Sequence, residues 1–401
     1  MRPDADLCSS PQSRPWPALI VVGQHWLTVS KFGLVTAHEG PGRASRAATP
    51  PATWPGLGTG TMDGMRLLIL GGTRFVGHAV AAAALREGWE VSTFNRGLSG
   101  ADIAGVNAIR GDRTLAADLA RLAAAGPWDA VVDTSGYVPR EVLAACERLE
   151  PVAARYVFMS TVSVYRGWPV EPLSEASEVL YCPAGAGPDY GEDVEDGPTR
   201  YGYQKSGCEL AVTSTFGLGR SVLLRPGVVL GPREYVGRLP WWLNRVAAGG
   251  RVLAPGSPDR SIQPVDVRDL AEFAIRPVTS MISGDYNVTA PVGRETFGGM
   301  LEACAEATGS DAEFVWVPDE QLVAQGVRQW SEMPLWRTFP GVWQVSSAAA
   351  QAAGLSCRPV EATVRETWSW MQETTARPDD ERANEIGISR EREQQILARV
   401  A

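Results

Sequence analysis

The chain has 401 residues, 44% of them hydrophobic, and its 46 acidic and 37 basic side chains give a net charge of −9. The acidic balance argues against nucleic acid as the main partner, and the lack of a long uninterrupted apolar stretch argues against a membrane span. Six dispersed cysteines without a Cys-x-x-Cys pair suit reduced thiols in the cytoplasm rather than a disulfide framework.

Residues 1–64 differ in composition from the rest of the chain, because they are rich in Pro, Gly, Ser, Thr and Arg. Such a segment offers little apolar surface to offset the entropy of ordering, so we expect disorder. Since Met65 directly opens the first predicted strand, a misassigned start codon is the alternative interpretation.

The first predicted element is a buried strand at residues 66–70, a short apolar run. The segment Gly71-Gly72-Thr73-Arg74-Phe75-Val76-Gly77 comes next and precedes a helix-favouring run. Strand, glycine-rich turn and helix are the context of a dinucleotide-binding loop. Gly71 permits the sharp turn, Gly72 the close approach of backbone to a pyrophosphate, and Gly77 the tight packing of helix on strand.

From there strand and helix patterns alternate, which predicts an α/β fold with a Rossmann-type doubly wound parallel sheet. The predicted strands are 66–70, 90–94, 129–133, 155–160 and 220–225, and the predicted helices are 77–87, 115–125, 139–149, 199–215 and 265–275. We therefore expect a dinucleotide-binding domain at 65–230 and a smaller C-terminal α/β substrate lobe at 231–372, from which 263–276 returns to the sheet. Residues 373–401 are charged and helix-prone, which predicts a solvated helical tail.

One lysine stands out because the chain has only two lysines against 35 arginines. Lys205 lies four residues after Tyr201, and on a helix that spacing places both side chains on one face. A compact ammonium near a phenol favours the phenolate form, which Arg, a planar fork, does not reproduce in the same geometry. The pair indicates proton-transfer chemistry.

Four segments in this order resemble the extended short-chain dehydrogenases/reductases, a group that includes the NAD-dependent epimerases and dehydratases. They are the glycine loop, Ser160-Thr161-Val162-Ser163-Val164-Tyr165, Tyr201-x-x-x-Lys205 and Leu224-Arg225-Pro226-Gly227. The resemblance runs from about Met65 to Gln372. Gly-Gly-Thr-Arg-Phe-x-Gly resembles an atypical branch with reductases and chloroplast RNA-binding relatives. Arg74 departs from the usual middle glycine, and the stretch from Thr161 to Tyr201 is longer than usual.

The resemblance implies roles for individual residues. Thr161 would hold the substrate hydroxyl or carbonyl, with Ser160 as its substitute. Tyr201 would act as general acid or base, and Lys205 would lower its pKa and bind the nicotinamide ribose. The remaining cofactor contacts would come from the glycine loop and from Asn95, Arg96, Asp112, Ser135, Gly136, Ser160, Pro226, Gly227 and Val228.

The second strand indicates the cofactor, because an acid after it holds the ribose of NAD whereas a cation suits the extra phosphate of NADP. Here Asn95 and Arg96 follow the strand, with no carboxylate, and Arg74 could add a second cation. We expect NADP(H) to be preferred, with NAD(H) as the alternative.

Substrate features are weaker. Arg260 lies where sugar-nucleotide enzymes of the family hold a diphosphate, so we assign it to substrate. The second lobe is rich in indole, at Trp241, Trp242, Trp330, Trp336 and Trp343; we expect core positions, with stacking on a ligand as the alternative. Residues 170–197 carry eight acids and no basic residue, which favours a solvated surface loop over a lid.

Three functions fit these observations. The first is an NAD(P)-dependent oxidoreductase acting on a carbonyl/alcohol pair, and the second a sugar-nucleotide epimerase or dehydratase with tightly bound cofactor. The third is a non-catalytic dinucleotide-binding or RNA-binding scaffold, against which Thr161, Tyr201 and Lys205 argue. With a single histidine, His78, in the recognisable domain, we expect no metal site. The family resemblance implies a homodimer.

Overall fold

A computed structural model describes residues 64–280, 282–374 and 385–400, and the backbone of three short strands nearer the N-terminus. These strands are β1 Leu19–Val22, β2 His25–Ser30 and β3 Gly33–Leu34, which form an antiparallel sheet within the unit Met1–Gly58. The predictions of disorder and of a misassigned start concern residues 1–64, most of which lie outside the described residues. All later elements belong to the second unit, Thr59–Ala401.

Thirteen further strands are described in this unit. They are β4 Arg66–Leu70, β5 Glu90–Asn95, β6 Asn107–Arg110, β7 Ala130–Asp133, β8 Tyr156–Met159, β9 Ser221–Pro226, β10 Val228–Leu230, β11 Arg251–Pro255, β12 Ser261–Ile262, β13 Pro264–Asp266, β14 Gly284–Val288, β15 Glu295–Thr296 and β16 Glu313–Val317.

The described α-helices are α1 Phe75–Arg86, α2 Ala116–Ala124, α3 Pro139–Leu149, α4 Arg200–Phe216, α5 Arg238–Ala247, α6 Val267–Ser280, α7 Phe297–Thr308, α8 Asp319–Ala324, α9 Ala348–Ala352, α10 Val360–Glu373 and α11 Arg390–Val400. Two short 3-10 helices lie at Glu150–Val152 and Val162–Val164. Among the described residues, no helix has the length and apolar character to cross a membrane.

Seven strands form one parallel sheet in the order β14-β9-β8-β7-β4-β5-β6. The chain enters at β4, moves outward through β5 and β6, and then returns to build the other half from β7. The strand order therefore reverses between β4 and β7, where open α/β sheets bind ligands beyond the carboxyl ends of the strands. The predicted doubly wound sheet is confirmed.

Burial on both faces explains why β4 reads as a continuous apolar run. Leu67 and Ile69 pack in one layer with α1 and α6, whereas Leu68 and Leu70 pack in the other with α2, α3 and α4. Each alternate side chain thus meets a helix layer, as the period of two along a strand requires.

The second lobe has its own core, which contains Trp242, Phe297, Met300 and Trp336, and two small sheets, β11-β16 and β12-β15. Helix α11 docks on this lobe instead of forming the solvated tail that we expected. Its Glu393 is buried, and the carboxylate accepts hydrogen bonds from Arg245 Nε at 2.8 Å and from the Leu253 amide at 3.0 Å. Charged residues of this helix therefore satisfy buried donors, which a pattern of charge alone does not reveal.

Candidate active site

A cleft of about 1220 Å³ opens at the carboxyl ends of β4, β5, β8 and β9, at the point where strand order reverses. Most of the predicted site residues line it together: Gly71, Gly72, Thr73, Arg74, Phe75, Val76, Gly77, Asn95, Arg96, Asp112, Ser135, Ser160, Thr161, Tyr201, Lys205, Pro226, Gly227 and Val228. Gly136 and Arg260 do not line the cleft.

The glycine loop has the shape of a phosphate cradle. Gly71 and Gly72 have φ of +110° and +101°, a region that other L-residues rarely adopt. A Cβ on Gly72 would lie 2.6 Å from Thr93 Cγ2, and one on Gly77 would lie 2.7 Å from the amide nitrogen of Gly72. Glycine at these two positions therefore allows the loop to pack closely on β5 and α1. The loop leads into the N-terminus of α1, where free N–H groups and the helix dipole favour an anion.

Helix α1 starts at Phe75, two residues before the predicted start, with Arg74 at the N-cap in an extended conformation. The Arg74 guanidinium lies over the ring of Tyr235, 4.6 Å from its centroid, and Phe75 meets the same ring edge-on. Tyr235 belongs to the connection between β10 and α5. A segment of the second lobe therefore covers Arg74, the residue that replaces the usual middle glycine of the loop. Arg74 and Tyr235 both line the cleft.

The end of β5 is held by Asn95. Its Nδ2 donates to the carbonyl of Gly71 at 3.2 Å, and its Oδ1 accepts from the Gly97 amide at 2.9 Å and from Arg110 at 2.8 Å. Arg96, next along the chain, is exposed and lines the cleft. Asn95 thus supports the loop, whereas Arg96 places an exposed cation at the cleft.

Asp112 accepts the amide of Thr114 at 2.9 Å and its hydroxyl at 2.8 Å. These bonds lower the pKa of Asp112 below its usual value, and the charge of Arg96 adds to the effect. An ionised carboxylate therefore faces this end of the cleft beside Arg96.

Beneath the glycine-loop side of the cleft lies a buried network that sequence patterns did not suggest. Asp133 accepts from Arg113 Nη1 and Nη2 at 3.1 and 2.8 Å, from the Tyr156 hydroxyl at 2.8 Å and from the Ser135 amide at 3.0 Å. Burial disfavours the charged carboxylate, but the Arg113 charge and these bonds outweigh it and lower the pKa of Asp133. The network ties β7 and β8 to the loop after β6.

The Tyr-x-x-x-Lys pair lies in the first two turns of α4. Tyr201 is 44% exposed at the cleft, whereas Lys205 is 3% exposed beneath it. Lys205 Nζ donates to the carbonyls of Gly136 at 2.9 Å and Met159 at 2.5 Å. Burial lowers the pKa of Lys205. Gly136 therefore acts through its carbonyl, as a support for the lysine.

A close helix contact brings the Ser-Thr segment to α4. The Thr161 hydroxyl accepts from the Ser163 amide at 3.2 Å and so caps the 3-10 helix Val162–Val164. Gly202 packs on that helix so closely that a Cβ would overlap the carbonyl oxygen of Ser163. The adjacent glycine thus lets Tyr201 and Thr161 line one cleft.

Ser160 has a hydroxyl oxygen that is buried and lacks a hydrogen-bond partner within the described part of the chain. Buried polar groups are normally paired, so an unpaired one in a cleft points to a ligand that completes it. This observation fits Ser160 as a cofactor or substrate contact.

Arg260 is placed elsewhere. Its guanidinium donates to the carbonyl of Arg337 at 2.8 Å and pairs with Asp319. Internal partners thus hold this side chain outside the cleft, a position that the local sequence did not indicate.

The indole-rich lobe divides between core and cleft. Trp242 and Trp336 are fully buried, as expected, whereas Trp330 and Trp343 line the cleft. Arg238 and Arg337 line the same wall and were missed, because neither lies in a recognisable motif.

The acidic segment 170–197 is more firmly attached than a solvated loop. Leu173 pairs with Val345 in an isolated bridge, and Glu175 accepts the Asn287 amide at 2.9 Å. Gln204 Nε2 donates to the carbonyls of Gly187 and Tyr190 at 2.9 and 2.7 Å. Asp193 lines the cleft. The segment forms a fixed part of the cleft wall on its Asp193 side.

Known proteins resemble this chain in sequence and in fold. The profile of the NAD dependent epimerase/dehydratase family matches residues 67–141. The match confirms the predicted resemblance to this family over the first part of the dinucleotide-binding region. The description of that family names NAD-dependent epimerases and dehydratases.

The solved structures of UDP-glucose 4-epimerase from Thermotoga maritima and from Thermus thermophilus, the latter with NAD, show the same fold. They are 18% and 21% identical, with TM-scores of 0.58 and 0.54; each alignment covers 78% of this chain and 100% of theirs.

A curated relative, the chloroplast stem-loop binding protein of 41 kDa b of Arabidopsis thaliana, is 28% identical over 268 residues. That match covers 61% of this chain and spans 63% of the relative's length.

Proposed function

We propose that the protein is an NADP(H)-linked oxidoreductase that transfers hydride between the cofactor and a carbonyl/alcohol pair. The observation that carries the proposal is α4, which presents an exposed Tyr201 at the cleft above a buried Lys205. A bound nicotinamide would supply or accept the hydride, while the protein supplies orientation and a proton.

Tyr201 would transfer the proton, because its phenol is exposed in the same cleft that Ser160 and Thr161 line. A lysine carries three N–H donors. Two of those on Lys205 are engaged by Gly136 and Met159, which leaves one for a cofactor ribose or the Tyr201 phenol. Fixed between two carbonyls, the ammonium lies in one place relative to the phenol.

Thr161 and Ser160 would hold the substrate oxygen or the nicotinamide side of the cofactor. The Ser160 hydroxyl has no partner within the described residues, and a ligand would satisfy it. Thr161 keeps its bond to the Ser163 amide and still has a hydrogen to donate to a carbonyl oxygen. Pro226, Gly227 and Val228 form the facing wall.

Preference for NADP(H) is supported by Arg96. It is exposed in the cleft after β5, and Asn95, which replaces the acid of NAD-binding loops, is engaged with Gly71 and Arg110. A guanidinium binds a phosphate through two parallel N–H bonds. Asp112 and Ser135 would contact the adenosine half. A cytoplasmic location and a homodimer remain part of the proposal.

A second candidate, a sugar-nucleotide epimerase or dehydratase, is favoured by the Arg74–Tyr235 contact. A second-lobe residue over the phosphate loop would slow cofactor release, as an enzyme that oxidises and reduces its cofactor within one cycle requires. Against a scaffold role stands the joint presence of Thr161, Tyr201 and Lys205 in one cleft.

Cofactor exchange distinguishes the two enzymes. The purified protein is loaded with NADP⁺, passed through gel filtration, and the dinucleotide that remains bound is released by denaturation and quantified. A reductase is expected to lose the cofactor and to exchange added NADPH on every turnover. Stoichiometric retention without exchange would contradict the reductase proposal and support the epimerase.

A further inference from the structure

The substrate half of the cleft contains an unusual pair of cations on one indole. The guanidinia of Arg238 and Arg337 both lie over the Trp330 ring, each 5.3 Å from its centroid. Arg238 opens α5, whereas Arg337 follows α8 by 13 residues, and all three side chains line the cleft. Trp330 has φ of +69°, a strained value for a bulky residue, so the surrounding structure holds the ring in place.

The two arginines differ in their partners. Arg238 lies 3.6 Å from Glu234, a buried carboxylate that also accepts the backbone amides of Arg238 and Leu239 at 3.1 Å each. Its charge is therefore balanced within the protein. Its Nε atom is nevertheless buried without a hydrogen-bond partner in the described part of the chain.

Arg337 has aromatic neighbours in place of a carboxylate. Besides Trp330 it lies over Phe339 at 5.4 Å, and among the described residues its side chain makes no ion pair within 4.0 Å and no hydrogen bond. Burial lowers the pKa of Arg337, and Asp196 opposes this only through the longer-range attraction of its charge. A half-buried cation without a paired anion is costly, and an anionic ligand would relieve that cost.

The charges around this wall limit what the ligand can carry. Glu234 balances Arg238, which leaves one guanidinium for a ligand, while Asp193 lines the same cleft and Asp196 lies near Arg337. A diphosphate would bring two negative charges to a single unpaired cation beside two acids. One carboxylate matches one guanidinium in charge and in its two-pronged geometry.

Part of the cleft wall near Arg337 is apolar. Trp330 contacts both Arg337 and Trp343, and Trp168 and Val342 line the same cleft. Indole faces supply a large apolar contact area and suit a flat or aromatic group. The anion site thus adjoins a surface for a hydrophobic body rather than a polar sugar.

We propose that the substrate is a carbonyl compound with one carboxylate and an apolar, aromatic-sized body, that Arg337 on Trp330 binds the carboxylate, and that the cleft selects against nucleoside diphosphate sugars. The inference rests on the proposed oxidoreductase function, since it names the substrate class of the same cleft. The juxtaposition that carries it is Arg337, without a paired anion among the described residues, beside an indole wall. Arg260, the residue expected to hold a diphosphate, is instead paired with Asp319.

Calorimetric titration of the NADP⁺-loaded protein tests this class with three probes: phenylpyruvate, its neutral amide, and UDP-glucose. We expect phenylpyruvate to bind at least tenfold more tightly than the amide, because a charge-assisted bidentate pair replaces a neutral contact. UDP-glucose is expected to bind more weakly than phenylpyruvate. Arg337→Gln should abolish the difference between acid and amide.

The control is Arg365→Gln, which removes an exposed arginine of α10 and should leave all three affinities unchanged. Arg337→Lys keeps the charge without the fork and should retain part of the preference, which separates recognition from loss of fold. NADPH affinity, measured in each variant, should equal that of the wild type.

Equal affinity for acid and amide, no binding of the acid, or tighter binding of UDP-glucose would each overturn the substrate assignment. Failure of the wild-type protein to bind NADPH would overturn the proposed function itself. NADPH binding without acid binding would overturn the inference alone.

Discussion

The two halves of the cleft treat charge in different ways. On the glycine-loop side the buried carboxylate of Asp133 accepts from Arg113, Tyr156 and the Ser135 amide, so its charge is paired within the protein. In the substrate half Arg337 rests on two aromatic rings and, in the described residues, has no ion-pair partner. The contrast is between a carboxylate whose charge is paired within the protein and a cation without a paired anion among the described residues, where the proposed substrate would complete the site.

The largest expected effect is on turnover. Tyr201→Phe removes the phenolic proton from the cofactor half and should lower kcat by about 10²- to 10⁴-fold, the usual contribution of general acid–base catalysis. NADPH affinity should stay within a few-fold. Turnover is followed as loss of reduced-nicotinamide absorbance, with the carbonyl substrate that the wild type reduces fastest.

Tyr203→Phe is the matched control, since Tyr203 lies on the same helix and contacts Tyr190 through its ring. Its kcat should resemble that of the wild type. A fully active Tyr201→Phe variant would remove the proton-transfer role.

The next effect is on stability. Asp133→Asn breaks the pair with Arg113 and should lower the free energy of unfolding by about 3–5 kcal/mol, because a buried guanidinium is left without its counter-charge. Since the folded-state pKa of Asp133 is lowered, its contribution is present above the unfolded pKa of about 3.9 and is lost as the pH falls through the folded value.

Urea unfolding at neutral pH and in acid measures both effects, and the difference between wild type and Asp133→Asn should shrink in acid. Asp259→Asn, an exposed replacement, should be neutral. A difference that grows in acid would contradict a charged Asp133 in the folded protein.

A smaller effect is expected where α4 meets the Ser-Thr segment. In Gly202→Ala the new methyl group would overlap the Ser163 carbonyl, and such overpacking typically costs about 1–3 kcal/mol. Because the clash separates Tyr201 from Thr161, kcat should fall while NADPH still binds.

Gly219→Ala serves as the control, as nothing lies within 4 Å of the added Cβ and its backbone conformation is ordinary. Unfolding and kinetics are measured for both variants. If Gly202→Ala leaves kcat unchanged, the close contact does not position the catalytic pair.

The smallest expected effect concerns cofactor choice. Arg96→Ala should weaken NADPH binding about tenfold, or about 1.4 kcal/mol, and leave NADH binding unchanged, since only NADP(H) carries the 2′-phosphate. Fluorescence titration with both dinucleotides measures this, with Arg365→Ala as control. Equal weakening of both would show that Arg96 does not read the phosphate.

The same contrast explains what could be predicted from the sequence. The glycine loop and Tyr201-x-x-x-Lys205 depend on short spacings, so each was recognised from a local pattern, and the family resemblance implied that they share one cleft. Strands β6 and β14 were not predicted. The exposed edge strand β6 has little apolar periodicity, and β14 contains Gly284, Asp285 and Asn287, which are poor strand formers.

Long-range partners decide such cases. Asn287 is fully buried because its side chain accepts from Tyr165 and donates to the Ser346 carbonyl, contacts 122 and 59 residues apart in sequence. Likewise, Arg337 meets Arg238 on Trp330 only through packing of the second lobe, and Arg260 is diverted to Asp319. No local pattern predicts these long-range contacts, whereas the residues of a short motif are neighbours in sequence.

The most direct test of the account is titration of the wild-type protein with NADPH and with NADH, followed by quenching of tryptophan fluorescence. We predict saturable binding of one dinucleotide per chain, with NADPH bound more tightly than NADH. Absence of binding for both would contradict the assignment of the cleft as a dinucleotide site, and with it the roles given to Tyr201 and Lys205.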